Sequence, residues 1–193
     1  MRLVHLSTRR RRASEESERG QSLVEFSLVL MPLFLILLGI IQFGFIFNTY
    51  ITMTNAARDA ARIGTVYVYD RTSGATKATN DLARNETIRA QVKSSMNGLA
   101  IAAPRFTTTT TWVKTTSGTT TTYTNGDLVI TYAIPDGSGG DPVVTDSDPR
   151  TGQRITVSAT YHQDLIIPLI SILLPKDAGG RMQLGGVVTM VIN

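Results

Sequence analysis

Glu25 is the side chain whose surroundings constrain its chemistry most. It heads an uncharged run from Phe26 to Phe47, FSLVLMPLFLILLGIIQFGFIF. A carboxylate costs a few kcal/mol at the centre of a bilayer and less near its interface. At headgroup level Glu25 would favour the positive end of a helix dipole, which is the plain account of it. The residues before it allow a sharper one. A cut between Gly20 and Gln21 would make Gln21 the first residue and Glu25 the fifth. The freed α-amine is cationic near neutral pH. Where such helices pack side by side, Glu25 of one copy can pair with the amine of its neighbour. In low dielectric the pairing is strong and an unmatched charge is costly, so the pair would fix axial register. Gly20 suits a cut at a membrane face because glycine leaves the scissile bond unhindered and extended.

Elsewhere the chemistry is sparse. Cysteine is absent, which excludes disulfides, thiolate catalysis and cysteine zinc sites. The two histidines, His5 and His162, exclude a multi-histidine metal centre. His162 near Asp164 reads as an isolated polar pair rather than a catalytic dyad. Asp136, Asp141, Asp146 and Asp148 could offer oxygen to calcium, but their spacing departs from the EF-hand pattern. No nucleotide-binding glycine motif and no Gly-x-Ser-x-Gly occurs. The expectation is no catalytic residue, no cofactor, no metal, and no enzyme activity. Nor does charge point to nucleic acid. The net charge is +4, but residues 1–20 hold six basic and three acidic side chains, 6 − 3 = +3, and the rest is nearly neutral.

The elements that must position Glu25 begin with the apolar run. Its 22 residues would span roughly 33 Å as a helix, close to the hydrocarbon thickness of about 30 Å. Pro32, Gly39 and Gly44 are compatible with a membrane helix. A secretory signal peptide has an apolar region of only about 7–15 residues, so the run reads as a span. A small-residue site, Thr54-Asn55-Ala56, does follow, but several polar residues after the run ends. The arginines Arg9 to Arg12 keep the N-terminus cytoplasmic and send the C-terminal part across.

The arrangement of a glycine, a carboxylate five residues on, and an apolar stretch resembles the type IV prepilin processing motif. RGQSLVEFSLVLMPLFLILLGIIQFGFIF is similar to the N-terminal segment of TadE-like proteins, minor pseudopilins of the tight-adherence (Flp) pilus. Thr54 to Gly64 (TNAARDAARIG) resembles the segment after the membrane helix in that family. ITVSATYHQDLIIPLISILLP and LGGVVTMVIN resemble its closing strand, its apolar proline-containing segment and its last strand. One position departs: Flp-type sequences often carry Tyr after the glutamate, and here it is Phe26. The resemblance implies cleavage at Gly20–Gln21 by a prepilin peptidase, with Glu25 and Phe26 in helix packing and assembly. It implies as partners other pilins and pseudopilins, platform membrane proteins, indirectly a secretion ATPase, and membrane lipid. The location implied is the inner membrane, single-pass, or the pilus itself. The alternative of another class is an unprocessed single-pass anchor whose threonine-rich sheet binds a surface.

The expected fold is α+β: a long N-terminal transmembrane pilin-like helix, then a small antiparallel-sheet domain with one packed helix. Residues 1–20 form a basic leader, 21–69 the membrane and emerging helix, 70–80 a linker and 81–193 the extracytoplasmic domain. Past the membrane, Met53, Ala56, Ala57, Ala60, Ala61 and Gly64 form a small-residue face. That face either bundles with other pilin helices or packs on the chain's own C-terminal domain. Ile88, Val92, Met96 and Leu99 predict an amphipathic helix over 82–97, capped by Asn80 or Asp81. Threonine fills 12 of the 18 residues 107–124 and favours strands. Strands are expected at 106–114, 119–124, 127–134, 154–161 and 187–192, with a hairpin turn at Asn125-Gly126. Leu165 to Leu174 is apolar but too short to span, so it tucks under the sheet or rests on the membrane surface.

Overall fold

In a computed structural model of the chain, the described residues are 7–72, 74–96, 98–99, 111–134, 150–167 and 172–192, the first 14 of them by backbone only. Helix α1 (Ser7–Thr65) is shared by two compact units, Met1–Gly44 and Phe45–Asn193. In the first unit most of its apolar side chains from Leu23 to Phe43 lie exposed, as they must if lipid or another helix is to cover them. Gln21–Thr65 is long and apolar enough to cross a membrane.

The second unit holds the end of α1, helix α2 (Lys77–Ser95) and, among the described residues, a five-stranded antiparallel sheet. Its strands are β1 (Val113–Ser117), β2 (Thr120–Asn125), β3 (Leu128–Ala133), β4 (Arg154–Gln163) and β5 (Met182–Val191), in the simple order β1-β2-β3-β4-β5. The α+β class expected from the sequence is the one observed.

One face of the sheet carries the core. Alternation along β4 places Ile155, Val157, Ala159 and Tyr161 inward, and β3 adds Leu128, Ile130 and Tyr132. Onto this face pack Ile88 and Val92 of α2, Met96 at its C-cap, and the small-residue face of α1, where Met53, Ala56, Ala57, Ala60 and Ala61 are all fully buried. The small face is therefore used inside the chain. Small side chains let backbones close up: a Cβ added to Gly186 of β5 would lie 2.4 Å from the Met53 carbonyl oxygen. At Gly64 an added Cβ would meet Ile155 and Ile88 at 2.8 Å.

The opposite face has a regular feature. Registers across the sheet align Thr115, Thr122, Thr131, Thr156 and Thr189 in one row. Two neighbouring pairs are hydroxyl hydrogen bonds, Thr122 to Thr131 at 3.3 Å and Thr156 to Thr189 at 2.8 Å. Such cross-strand threonine pairs stabilise a sheet while leaving its surface uncharged.

Several boundaries differ from the sequence expectation. Helix α2 is capped by Thr76, not Asn80 or Asp81. The Thr76 hydroxyl accepts from the Thr79 amide at 3.2 Å, and the Thr79 hydroxyl accepts from the Thr76 amide at 2.8 Å. This reciprocal box starts the helix a turn earlier. Strand β1 lies over Val113–Ser117 because Gly118, at φ +57°, makes the turn into β2; residues 106–110 of the expected strand lie outside the described ones. The next turn is Gly126-Asp127, one residue beyond the expected pair, since Asn125 still pairs with Leu128. Strand β5 begins at Met182, five residues before the expected 187, and runs through Gly185-Gly186. Gly185 and Gly186 lie within the strand, and Gly186 leaves the space that the helix backbone occupies.

Replacing Gly186 by alanine is expected to destabilise the protein by about 1–3 kcal/mol or more, because backbone atoms rather than a flexible side chain must move. Thermal unfolding of the full chain in detergent measures this, with Gly44→Ala, which meets nothing within 4 Å, as the control.

Candidate functional site

The sequence-derived site lies on the first unit's part of α1. Gly20 and Gln21 are both helical. The extended conformation expected at Gly20 is thus not the one this chain adopts alone, since flanking helix formers carry the helix through a single glycine at a cost of about 1 kcal/mol. Gln21 and Glu25 come together one turn apart, Gln21 Nε2 donating to Glu25 Oε1 at 3.1 Å. Both side chains are exposed, and Phe26 beside them is 64% exposed. One turn on, the Ser27 hydroxyl donates to the Leu23 carbonyl at 2.8 Å, so its polar group is satisfied within the helix. The carboxylate therefore stands at an open helix surface with one neutral local donor, able to accept a cation from a neighbouring chain.

The second unit holds buried polar chemistry that the sequence did not reveal. Asp81 of α2 accepts from both Arg150 Nε, at 3.0 Å, and Arg150 Nη2, at 2.7 Å. The Tyr123 hydroxyl donates to Asp81 at 2.9 Å, and Arg150 Nη1 donates to Gln153 at 2.8 Å. The Arg150 guanidinium lies 4.5 Å from the Tyr132 ring centre, and Arg84 lies 4.9 Å from that of Tyr67. The Tyr132 hydroxyl donates to Asn85 at 2.6 Å. Burial works against the Arg150 charge, yet hydrogen bonds and the charge of Asp81 carry its pKa above the ordinary value. Burial depresses that of Arg84 and pushes both tyrosines up. Asp81 and Arg150 are both almost fully enclosed, so this network holds α2 to the sheet away from solvent.

His162 has partners other than the expected Asp164. Its Nδ1 lies 2.5 Å from Asp177 and its Nε2 3.3 Å from Asp127, while Asp164 is exposed. The register sets this: β4 brings its end beside the Gly126-Asp127 turn, and Asp177 comes from the turn before β5. Asp177 also accepts the Gly179 and Arg181 amides, both at 2.9 Å. The Arg181 amide, with help from His162 and the Gly179 amide, holds its carboxyl below the usual aspartate range against the opposing effect of burial. Both ring nitrogens face carboxylates, which ties strand β4 to two turns. Among the described residues no cluster of His, Asp and Glu could hold a metal ion. The aspartates of 136–148 lie outside the described residues.

Two outcomes are expected. Arg150→Met leaves Asp81 buried without its cation and destabilises the unit by about 3–5 kcal/mol, whereas changing Asp81 and Arg150 together to apolar residues recovers much of that in a double-mutant cycle. A carboxyl held low in the folded state contributes stability above its unfolded pKa of about 3.9 and loses it as pH falls. The stability gap between the parent and Asp177→Asn, followed by urea unfolding, should therefore be widest near neutral pH and narrow on acidification.

No curated protein and no solved structure matches the chain. A protein-family model does: residues 20–62, from Gly20 ahead of Gln21 to the exposed Arg62 near the end of α1, match the family described as TadE-like protein, and over that segment the chain is similar to TadE-like proteins.

Proposed function

We propose that the chain is a pseudopilin-like structural protein for assembly of a Tad (Flp, type IV-like) pilus, cut after Gly20 by a prepilin peptidase. The TadE-like match implies a protein associated with the Tad pilus. The observation that carries the finer reading is the lone exposed carboxylate of Glu25, one helical turn beyond Gln21 and ahead of an uncharged, mostly exposed apolar helix. After the cut, Gln21 bears a cationic amine. That amine can displace the neutral Gln21 amide from a neighbouring copy's Glu25, replacing a neutral donor by a cationic one and so adding an ion pair to the hydrogen bond. The apolar side chains then pass from lipid to neighbouring helices at little net cost, since both environments are apolar. The charge pair, not the greasy surface, supplies the register.

For the peptidase, the helical Gly20–Gln21 bond must unwind, and glycine makes that the least costly point of the turn. The role is structural rather than catalytic. Its partners on this reading are the peptidase, other pilins and pseudopilins, the platform membrane proteins and, through them, a secretion ATPase. The protein waits in the inner membrane with its C-terminal unit outside the cytoplasm. A second reading, an uncut single-pass anchor whose threonine face binds a surface, is favoured by the unbroken helix across Gly20–Gln21.

N-terminal sequencing of the protein from native membranes separates the two. A chain beginning at Gln21 supports the pilin role, and an intact arginine-rich leader refutes it. Gly20→Phe should leave the precursor uncut. Glu25→Ala should still be cut but enter pili poorly, as read by immunoblot of sheared pili. Normal incorporation of Glu25→Ala would remove the charge pair from the mechanism.

A further inference from the structure

The connection between β4 and β5 is apolar where it has no reason to be. Leu165 to Pro175 (LIIPLISILLP) carries no charge, and among its described residues Ile166, Ile172 and Leu173 are 65%, 73% and 83% exposed. Of the two placements expected for this stretch, under the sheet or on the membrane surface, the exposure of these described residues favours the second. Its base is rigid. On one side Gln163, the last residue of β4, accepts a hydrogen bond from the Thr49 hydroxyl of α1 at 2.7 Å. On the other, Asp177 is tied to His162 and closes a turn in which its amide donates to the Arg181 carbonyl at 2.8 Å.

Thr49 supplies the second observation. It follows Phe47, the end of the uncharged run, by two residues, or about 3 Å of helix rise. The connection thus springs from the level at which the chain leaves the hydrocarbon. Beside it, Tyr50 is half exposed, a residue type enriched at membrane interfaces. The flanking charges, Asp164 and Lys176, are exposed, opposite in sign and mark where the apolar stretch begins and ends.

From this geometry we infer that the β4–β5 connection inserts Ile166, Ile172 and Leu173 into the interfacial layer of the bilayer that the Phe26–Phe47 helix crosses. The occupant of this surface is lipid. Because the flanking charges cancel, binding follows buried apolar area and not anionic headgroups. The inference rests on the helix crossing a membrane and is independent of cutting at Gly20 or of any pilus.

The chain has no cysteine, so Leu173→Cys and Ile172→Cys give single labelling sites at exposed positions. The full chain carrying an environment-sensitive nitrobenzoxadiazole label is reconstituted in phosphatidylcholine vesicles, with and without phosphatidylglycerol, containing spin-labelled lipid as quencher. Thr115→Cys, exposed on β1 at the other edge of the sheet, is the control. Lipid quenching at 172 and 173 should exceed that at 115 by about threefold or more and be alike in both lipid mixtures. Quenching no greater than at 115 overturns the inference. So does quenching that requires anionic lipid, or a blue-shifted emission without lipid quenching, which would mark a protein occupant such as a second copy.

Discussion

Helix α1 and strand β5 approach until backbone faces backbone, and the rest of the C-terminal unit is arranged around that approach. Strand β5 cannot carry a side chain where it meets the Met53–Thr54 backbone, which is why Gly186 stands there, and alanines continue the helix face over the next two turns. The bulk that the core still needs comes from elsewhere, from Ile155 and Tyr132 of the sheet, Ile88 and Val92 of α2 and Met96 at its C-cap. Using the small-residue face internally has a functional corollary. Ala56, Ala57, Ala60 and Ala61 are not available to a neighbouring subunit. Helix-to-helix assembly then falls to the exposed apolar stretch upstream of them, where Glu25 stands.

The polar half of α2 plays a different part. Asp81, Arg84 and Asn85 are buried where apolar residues would serve packing as well or better. A buried ion pair is weak support for stability, because desolvation offsets most of its attraction. Its geometry is nonetheless selective. The fork of Arg150 fits Asp81 through two hydrogen bonds, Tyr123 completes the carboxylate, and the Tyr132 ring covers the guanidinium. Greasy contacts alone would let α2 slide along the sheet; this set of bonds closes in one position only.

What could be read in the sequence is what depends on near neighbours. Alternation of Ile155, Val157, Ala159 and Tyr161 announced β4, and the spacing of Ile88, Val92 and Met96 announced α2. The Gly20-to-Glu25 spacing is likewise contiguous, so it was visible without any fold. What could not be read depends on distant partners. Asn80 and Asp81 look like helix caps, but Asn80 hydrogen-bonds the Asp70 backbone and Asp81 holds a residue 69 positions away. His162 sits two positions from Asp164, yet its partners are 15 and 35 residues distant. Gly185-Gly186 suggests a break because glycine is a poor strand former, and only the helix lying across it explains why the strand tolerates both.

Arg150 also defines the far end of the polar stretch 135–149, whose near end is fixed by the pairing of Ala133 with Arg154. Both ends are pinned by contacts that do not involve the residues between them. The entropy of closing such a segment grows slowly, by about 0.6 kcal/mol for each doubling of its length. A change in the length of chain between these two anchors therefore costs the sheet little through closure entropy alone.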